Sequence, residues 1–204
     1  MKAVGVILAG GLSRRMGGGD KALQLVGGRT LLDRVIERLK PQVETLLLNA
    51  NGDAARFAPF GLPIVADSVA GYAGPLAGVL AGLDWTADHR PDCAHVVSVA
   101  SDAPFLPKDL VARLEAGLAG SPGAVACAAS GGRAHPVFAL WPVALRADLR
   151  QAIAREGVRK VDLFTARHEL RLVPFATAPL DPFFNANEPQ DLLAAEKLLA
   201  LFPS

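Results

Sequence analysis

An apolar run near the N-terminus, Ala3 to Leu8, passes without a break into a loop holding Gly10, Gly11, Gly17, Gly18 and Gly19. A short run that is apolar at odd and even positions alike fits a strand covered on both faces, as in a parallel sheet. The glycines that follow let backbone N–H groups close around an anion, because no Cβ holds the ligand away. Arg14, Arg15 and Lys21 add the countercharge that a polyphosphate needs. Strand, glycine loop and cations together predict a nucleotide phosphate site at the carboxyl edge of an α/β sheet.

Two familiar glycine loops do not fit. A P-loop needs Gly-Lys-Ser/Thr, whereas Lys21 stands between Asp20 and Ala22. A dinucleotide fingerprint needs GxGxxG, which Gly10-Gly11-Leu12-Ser13-Arg14 does not supply.

The rest of the chain alternates in the same manner. Leu31, Leu32, Val35, Ile36 and Leu39 share one helical face over Thr30–Lys40, and Pro41 closes that helix. Thr45–Leu48, Leu62–Ala66 and His95–Ala100 read as strands. A helix after Gly74-Pro75 carries Leu76, Val79, Leu80 and Leu83. Lys108–Leu118 is a helix with Pro107 suited to its start. Strands follow at Ala124–Ala129, Pro136–Leu140 and Leu170–Phe175, with helices over Val143–Glu156 and Val161–Arg167. Asn187 is placed to cap a last helix, with Gln190 at the capping-box position. The expectation is an α/β fold, a three-layer sandwich around a mostly parallel sheet, with βαβ alternation throughout. Residues 1–204 suit a single domain, in which Gly131-Gly132-Arg133 is an internal loop.

Composition narrows the function. Hydrophobic residues make up 51%, enough for a sizeable core, and the formal charge is +1. No bulk field therefore favours nucleic acid or an anionic membrane, and any polyanion affinity must be local. No signal-peptide pattern and no membrane-length apolar run is present. Cys93 and Cys127 fit no metal spacing and read as reduced thiols in or beside the core, as in a cytoplasmic protein.

Polar residues recur where the apolar strands stop: the glycine loop after Leu8, Asn49, Asp67 and Asp102. In an open α/β sheet these ends form the ligand edge, although turn chemistry alone puts Asn and Asp at some of them. Asp102 closes a buried strand, where a carboxylate suits a hard dication that also takes phosphate oxygens and water. Asp67 can make an Asx-turn with Ser68, or accept from a guanine edge or ribose hydroxyls. Asn49 offers both donor and acceptor, while Asn51-Gly52 reads as turn chemistry. Trp85, Trp141, Phe183 and Phe184 read as core or rim, and Tyr72 as a possible pocket wall. No Ser/His/Asp or Cys/His set suggests nucleophilic catalysis.

The stretch Leu-Ala-Gly-Gly-x-Ser-x-Arg-Met-Gly-x-x-Asp-Lys, residues 8–21, resembles the signature of nucleotidyltransferases with a Rossmann-like, glycosyltransferase-A-type fold. Within that group it is most similar to the molybdenum cofactor guanylyltransferases. The resemblance implies nucleotide contacts at Leu8, Ala9, Gly10, Gly11, Lys21, Asn49, Asp67 and Asp102. It implies phosphate binding by Arg15 and Lys21 as catalytic groups, and Mg²⁺ on Asp102, the third of the catalytic set. Arg14 falls where the family varies. Leu8–Gly11 and Gly74-Pro75-Leu76-Ala77-Gly78 match guanine-using members. His135-Pro136 resembles a strand start on the pterin side. Phe-x-Asn-x-Asn-x-Pro, carrying Asn185 and Asn187, resembles a C-terminal motif beside the active site.

What the resemblance implies is transfer of GMP from GTP to the terminal phosphate of molybdopterin carrying molybdenum, with release of pyrophosphate. A monomer in the cytoplasm is expected, serving molybdenum cofactor biosynthesis proteins and recipient molybdoenzymes. The alternatives are a cytidylyltransferase for molybdopterin or for a sugar or alditol phosphate, and a GTP-binding module without turnover.

Overall fold

A computed structural model of the chain describes residues 2–10, 20–69, 71 and 74–202. Its centre is one sheet. The strands are β1 (Ala3–Leu8), β4 (Thr45–Asn49), β5 (Ile64–Val65), β6 (His95–Ala100), β7 (Val125–Ser130), β8 (Arg133–Pro142) and β9 (Leu170–Phe175), in spatial order β5-β4-β1-β6-β8-β7-β9. A small antiparallel hairpin, β2 (Leu25–Val26) and β3 (Arg29–Thr30), stands apart. Its turn, Gly27-Gly28, has positive φ at both residues (55° and 74°), the conformation that two-residue hairpins favour and glycine permits.

β1 shows why the sheet forms here. Ala3 and Ile7 join one buried cluster, and Val4 and Val6 join the other, as a period of two requires of a strand covered on both faces. The first cluster is roofed by α1 (Leu31–Leu39) and α3 (Leu110–Gly117). The second is roofed by α2 (Pro75–His89), α4 (Arg146–Ala154) and α5 (Val161–Thr165). The three layers are those expected. A buried polar pair joins β6 to β8: Trp141 Nε1 donates to Ser98 Oγ at 2.8 Å, and that hydroxyl donates to the Val137 carbonyl at 2.6 Å. Each group is satisfied, as burial demands. α6 (Pro189–Leu201) packs on the small hairpin and the start of α1, with Ala195 clustered with Val26 and Leu31.

The structure corrects the alternation. β7 and β8 are joined by the two-residue turn Gly131-Gly132, with no helix between them, and β8 is antiparallel to both β6 and β7. The glycine pair, both at positive φ, is a hairpin turn. α3 begins at Leu110, so Pro107 precedes it. Its carbonyl and the Val111 N–H instead bond the side chain of Gln42, from the turn after α1. The segment Val143–Leu145 forms a 3₁₀ turn ahead of α4. Cys93 and Cys127 are free and buried, and burial pushes the Cys127 thiol up to about 11. No described helix is long and apolar enough to cross a membrane.

Candidate active site

Parallel pairing of β1 with β4 and β6, and of β4 with β5, brings four strand ends to one edge. Leu8 lies opposite both Asn49 and Ala100, and Asn49 opposite Val65. The Ala9 N–H extends the ladder to the Asn49 carbonyl at 2.9 Å. Asp67 and Asp102 each follow two residues past a strand end, so both reach that edge.

At the outer corner Asn49, Asn51 and Asp67 form one network. Asn49 is buried, 3% exposed. Its Nδ2 donates to the Val65 carbonyl at 3.1 Å and to Asp67 Oδ1 at 3.0 Å. Asn51 Nδ2 donates to Asp67 Oδ2 at 2.8 Å, and Asn51 Oδ1 accepts the Asp67 N–H at 2.9 Å. Asp67 is thus held by two amides, and Asn51 is a member that its turn chemistry concealed. Gly78 in the first turns of α2 makes room for this: a Cβ there would lie 2.3 Å from Asn49 Oδ1 and 2.7 Å from Leu8 Cδ2.

At the centre Lys21 Nζ bonds both Asp102 Oδ2 and Asn187 Oδ1. Lys21 and Asp102 are each only 15% exposed in their side chains. The Ala186 N–H donates to the Asp102 carbonyl at 3.0 Å, so the segment before α6 is pinned onto the end of β6. Two buried oxygens, Asp102 Oδ1 and Asn185 Oδ1, have no hydrogen-bond partner among the described residues. A buried polar atom left in that state is costly unless something else satisfies it. Hard oxygen donors of this kind fit a divalent cation that keeps much of its water. Among the described residues no group of three or more His, Cys, Asp or Glu gathers as a metal cluster, and a site with one carboxylate needs none.

Beyond β6 lies an open cleft of about 430 Å³, lined among others by Ser130, Arg133, His135, Asp181, Asn185 and Asn187. Ser130 Oγ lies 2.7 Å from His135 Nε2 and 3.0 Å from Asp181 Oδ1. Sequence reading missed this Ser/His/Asp set, because its members come from a hairpin and from a loop 51 residues away. It is not a nucleophilic relay. In such a relay the imidazole bridges serine and carboxylate, whereas here the serine stands between the other two. A carboxylate only accepts, so the single hydroxyl proton goes to Asp181 and His135 Nε2–H donates to Oγ. Asp181 Oδ1 also takes the Phe183 N–H at 3.0 Å, which fixes the start of the 181–188 segment. Burial lowers the His135 pKa, against the attraction of Asp181 and with the repulsion of Arg133.

Of the sequence-predicted residues, the edge brings together Leu8, Ala9, Gly10, Lys21, Asn49, Asp67 and Asp102. Gly11, Arg14, Arg15, Gly17 to Gly19 and Tyr72 lie outside the described residues. Asn187 is not the helix cap. Glu188 is, with Asp191 as its capping-box partner. Pro189 takes the first helical position, where its missing N–H costs nothing, and this moves the cap one residue on. Asn187 is thereby free to meet Lys21.

The chain matches the family described as the MobA-like NTP transferase domain over residues 5–170, and it belongs to that family. It is 59% identical to a molybdenum cofactor guanylyltransferase of Bradyrhizobium sp. (strain ORS 278), over 97% of this chain and 93% of that one. It is 58% identical to a molybdenum cofactor guanylyltransferase of Rhodopseudomonas palustris (strain BisB5), over 95% of this chain and 92% of that one. The fold is shared with the crystal structure of molybdopterin-guanine dinucleotide biosynthesis protein A from Archaeoglobus fulgidus, with a TM-score of 0.74, 22% identity, and coverage of 98% and 100% of the two chains.

Proposed function

We propose that this protein transfers GMP from GTP to the terminal phosphate of molybdenum-bearing molybdopterin, forming the guanine dinucleotide cofactor and pyrophosphate. The observation that carries the chemistry is the meeting of Lys21, Asp102 and Asn187 at the carboxyl edge of the sheet. The choice of guanine and pterin rests on near-full-length identity to guanylyltransferases. The chain acts as one nucleotidyltransferase domain, a monomer in the cytoplasm, with the N-terminal strands serving GTP and the C-terminal cleft serving the pterin.

The acceptor phosphate is already anionic, so it attacks the α-phosphorus in line with the departing pyrophosphate without a strong protein base. Catalysis is positioning and charge neutralisation. Lys21, with Arg15 and the glycine-loop N–H groups from Gly10 and Gly11, holds the leaving phosphates. Asp67 takes the base or ribose, with Asn49 acting through it, and Leu8 and Ala9 floor the site. Asp102 would hold Mg²⁺, with Asn185 as a further oxygen donor, and the ion would supply neutralisation of phosphate charge. Binding of GTP then releases Lys21 from Asp102 to the phosphates.

The test is pyrophosphate release with GTP against CTP, with and without molybdopterin, and identification of the dinucleotide product. Release with GTP only when molybdopterin is present supports the reading. Release with CTP alone assigns a cytidylyltransferase. GTP binding without release assigns a binding module.

A further inference from the structure

Arg56 has no part in the chemistry above, yet it joins the two ends of the nucleotide corner. Its side chain is 27% exposed, and Nε lies 2.5 Å from Asp20 Oδ2, whose side chain is 17% exposed. Nη2 donates to the Asn51 carbonyl at 2.7 Å, and Nη1 donates to the Asp53 carbonyl. The guanidinium carbon stands 4.6 Å from the centroid of the buried Phe57 ring. A planar fork fixed on three sides and stacked on a ring is an arrangement only arginine can make. The local turn does not need it, since the Asp53 carboxylate already takes the Ala55 N–H at 2.9 Å.

Followed outward, these bonds form one chain. Asn49 holds Asp67, Asp67 holds Asn51, and the Asn51 carbonyl holds Arg56. Arg56 holds Asp20, and the next residue is Lys21, bonded to Asp102 and Asn187. One end of this chain faces the base and ribose in the proposed function, and the other faces the phosphates. We infer that Arg56 is a positioning residue that sets the spacing between the two ends, so that a nucleoside triphosphate engages both at once. The inference rests on the proposed GTP site.

Two fragments separate this role from general structural support. GMP carries the base and ribose with a single phosphate, and pyrophosphate probes the phosphate end. If Arg56 fixes the spacing, Arg56→Gln weakens GTP binding about tenfold while each fragment binds within about twofold of the parent, because only the spanning ligand gains from correct spacing. Arg56→Lys keeps a charge for Asp20 but not the fork to the Asn51 carbonyl, and is expected to fall between the two. In a cycle with Asp20→Asn, the double variant is expected to lose no more than Arg56→Gln alone, the signature of a shared interaction. Equal weakening of GTP, GMP and pyrophosphate, or additive losses in the cycle, would overturn the inference. So would a well-folded Arg56→Lys or Arg56→Gln that binds GTP like the parent. A parent that binds no GTP sinks the functional reading and the inference together.

Discussion

At the carboxyl edge, the β5-β4-β1-β6 half and the β8-β7-β9 half are built on different terms. In the first, four parallel strand ends hold one another: Asn49 and Asn51 grip Asp67, and Lys21 lies on Asp102. Every one of these side chains follows a strand end by at most two residues or closes the glycine loop. In the second, the sheet turns antiparallel through a glycine hairpin, the cleft stays open, and its polar groups converge from Ser130, His135 and Asp181. The first half is closely fitted, as a site for a ligand of fixed shape would be. The second is open and less tightly knit. The seam between them is the 181–188 segment, tied to Ser130 at one end and to Asp102 and Lys21 at the other.

The largest effect is expected where the fitted half meets the seam. Asp102→Asn keeps the size of the side chain but removes the charge. Turnover should fall about 10²–10³-fold, the scale on which losing one electrostatic contact to a transition state is felt. A Mg²⁺ titration of pyrophosphate release checks it, and parental activity at the parental Mg²⁺ dependence would move the metal role elsewhere.

A smaller loss is expected where the fitted half depends on a missing Cβ. Gly78→Ala puts a methyl 2.3 Å from Asn49 Oδ1. Helix or amide must shift, at roughly 1–3 kcal/mol in stability. Because Asn49 holds Asp67, the KM for GTP should rise about tenfold while the KM for the acceptor holds. Steady-state kinetics with each substrate varied in turn reads the difference, and an equal rise in both would show that the halves are not separable at this point.

The smallest effect is a pH dependence that belongs to histidines outside the fitted edge: His95 opens β6 at its far end, and His135 lies in β8. Burial lowers the pKa of His95, partly offset by its contact with the Pro122 carbonyl, and burial likewise lowers that of His135. A lowered histidine pKa means that the fold prefers the neutral ring. Stability is then full above about 6.5, the value in the unfolded chain, and declines as pH falls through 6.5 towards the lower folded values. Denaturant midpoints between pH 7.5 and 5 should show this decline. His95→Gln and His135→Gln should each flatten part of it, and a profile unchanged in both would place the cause elsewhere.

The same contrast explains what the sequence made legible. β1, α1 and the end of β6 follow from short-range patterns: apolar runs, a helical face closed by Pro41, and an aspartate after a buried strand. The fitted half is therefore readable almost residue by residue. Asn51 escaped because asparagine before glycine is turn chemistry, and nothing local shows its amide reaching Asp67, 16 residues on. In the open half the signals are weaker: Gly131-Gly132 reads as an internal loop, which it is, but only the pairing of its flanking strands shows it to be a hairpin turn. Outside both halves, the two-residue strands of the small hairpin are too short to carry a period. Asn187 has the chemistry of a cap, but Pro189 fixes the helix start one residue beyond it. The cluster of Ser130, His135 and Asp181 is a product of tertiary folding. Its one local trace is His135-Pro136 at the start of a long strand.

The division of labour between the two halves is tested most directly by measuring both KM values in two variants, one from each half. Asp67→Asn places an amide against the amides of Asn49 and Asn51, and Asp181→Asn does the same to the hydroxyl of Ser130. The account predicts that Asp67→Asn raises the KM for GTP about tenfold and leaves that for molybdopterin within about twofold, and that Asp181→Asn does the reverse. If both variants raise the same KM, the two halves do not serve two substrates and the account is contradicted.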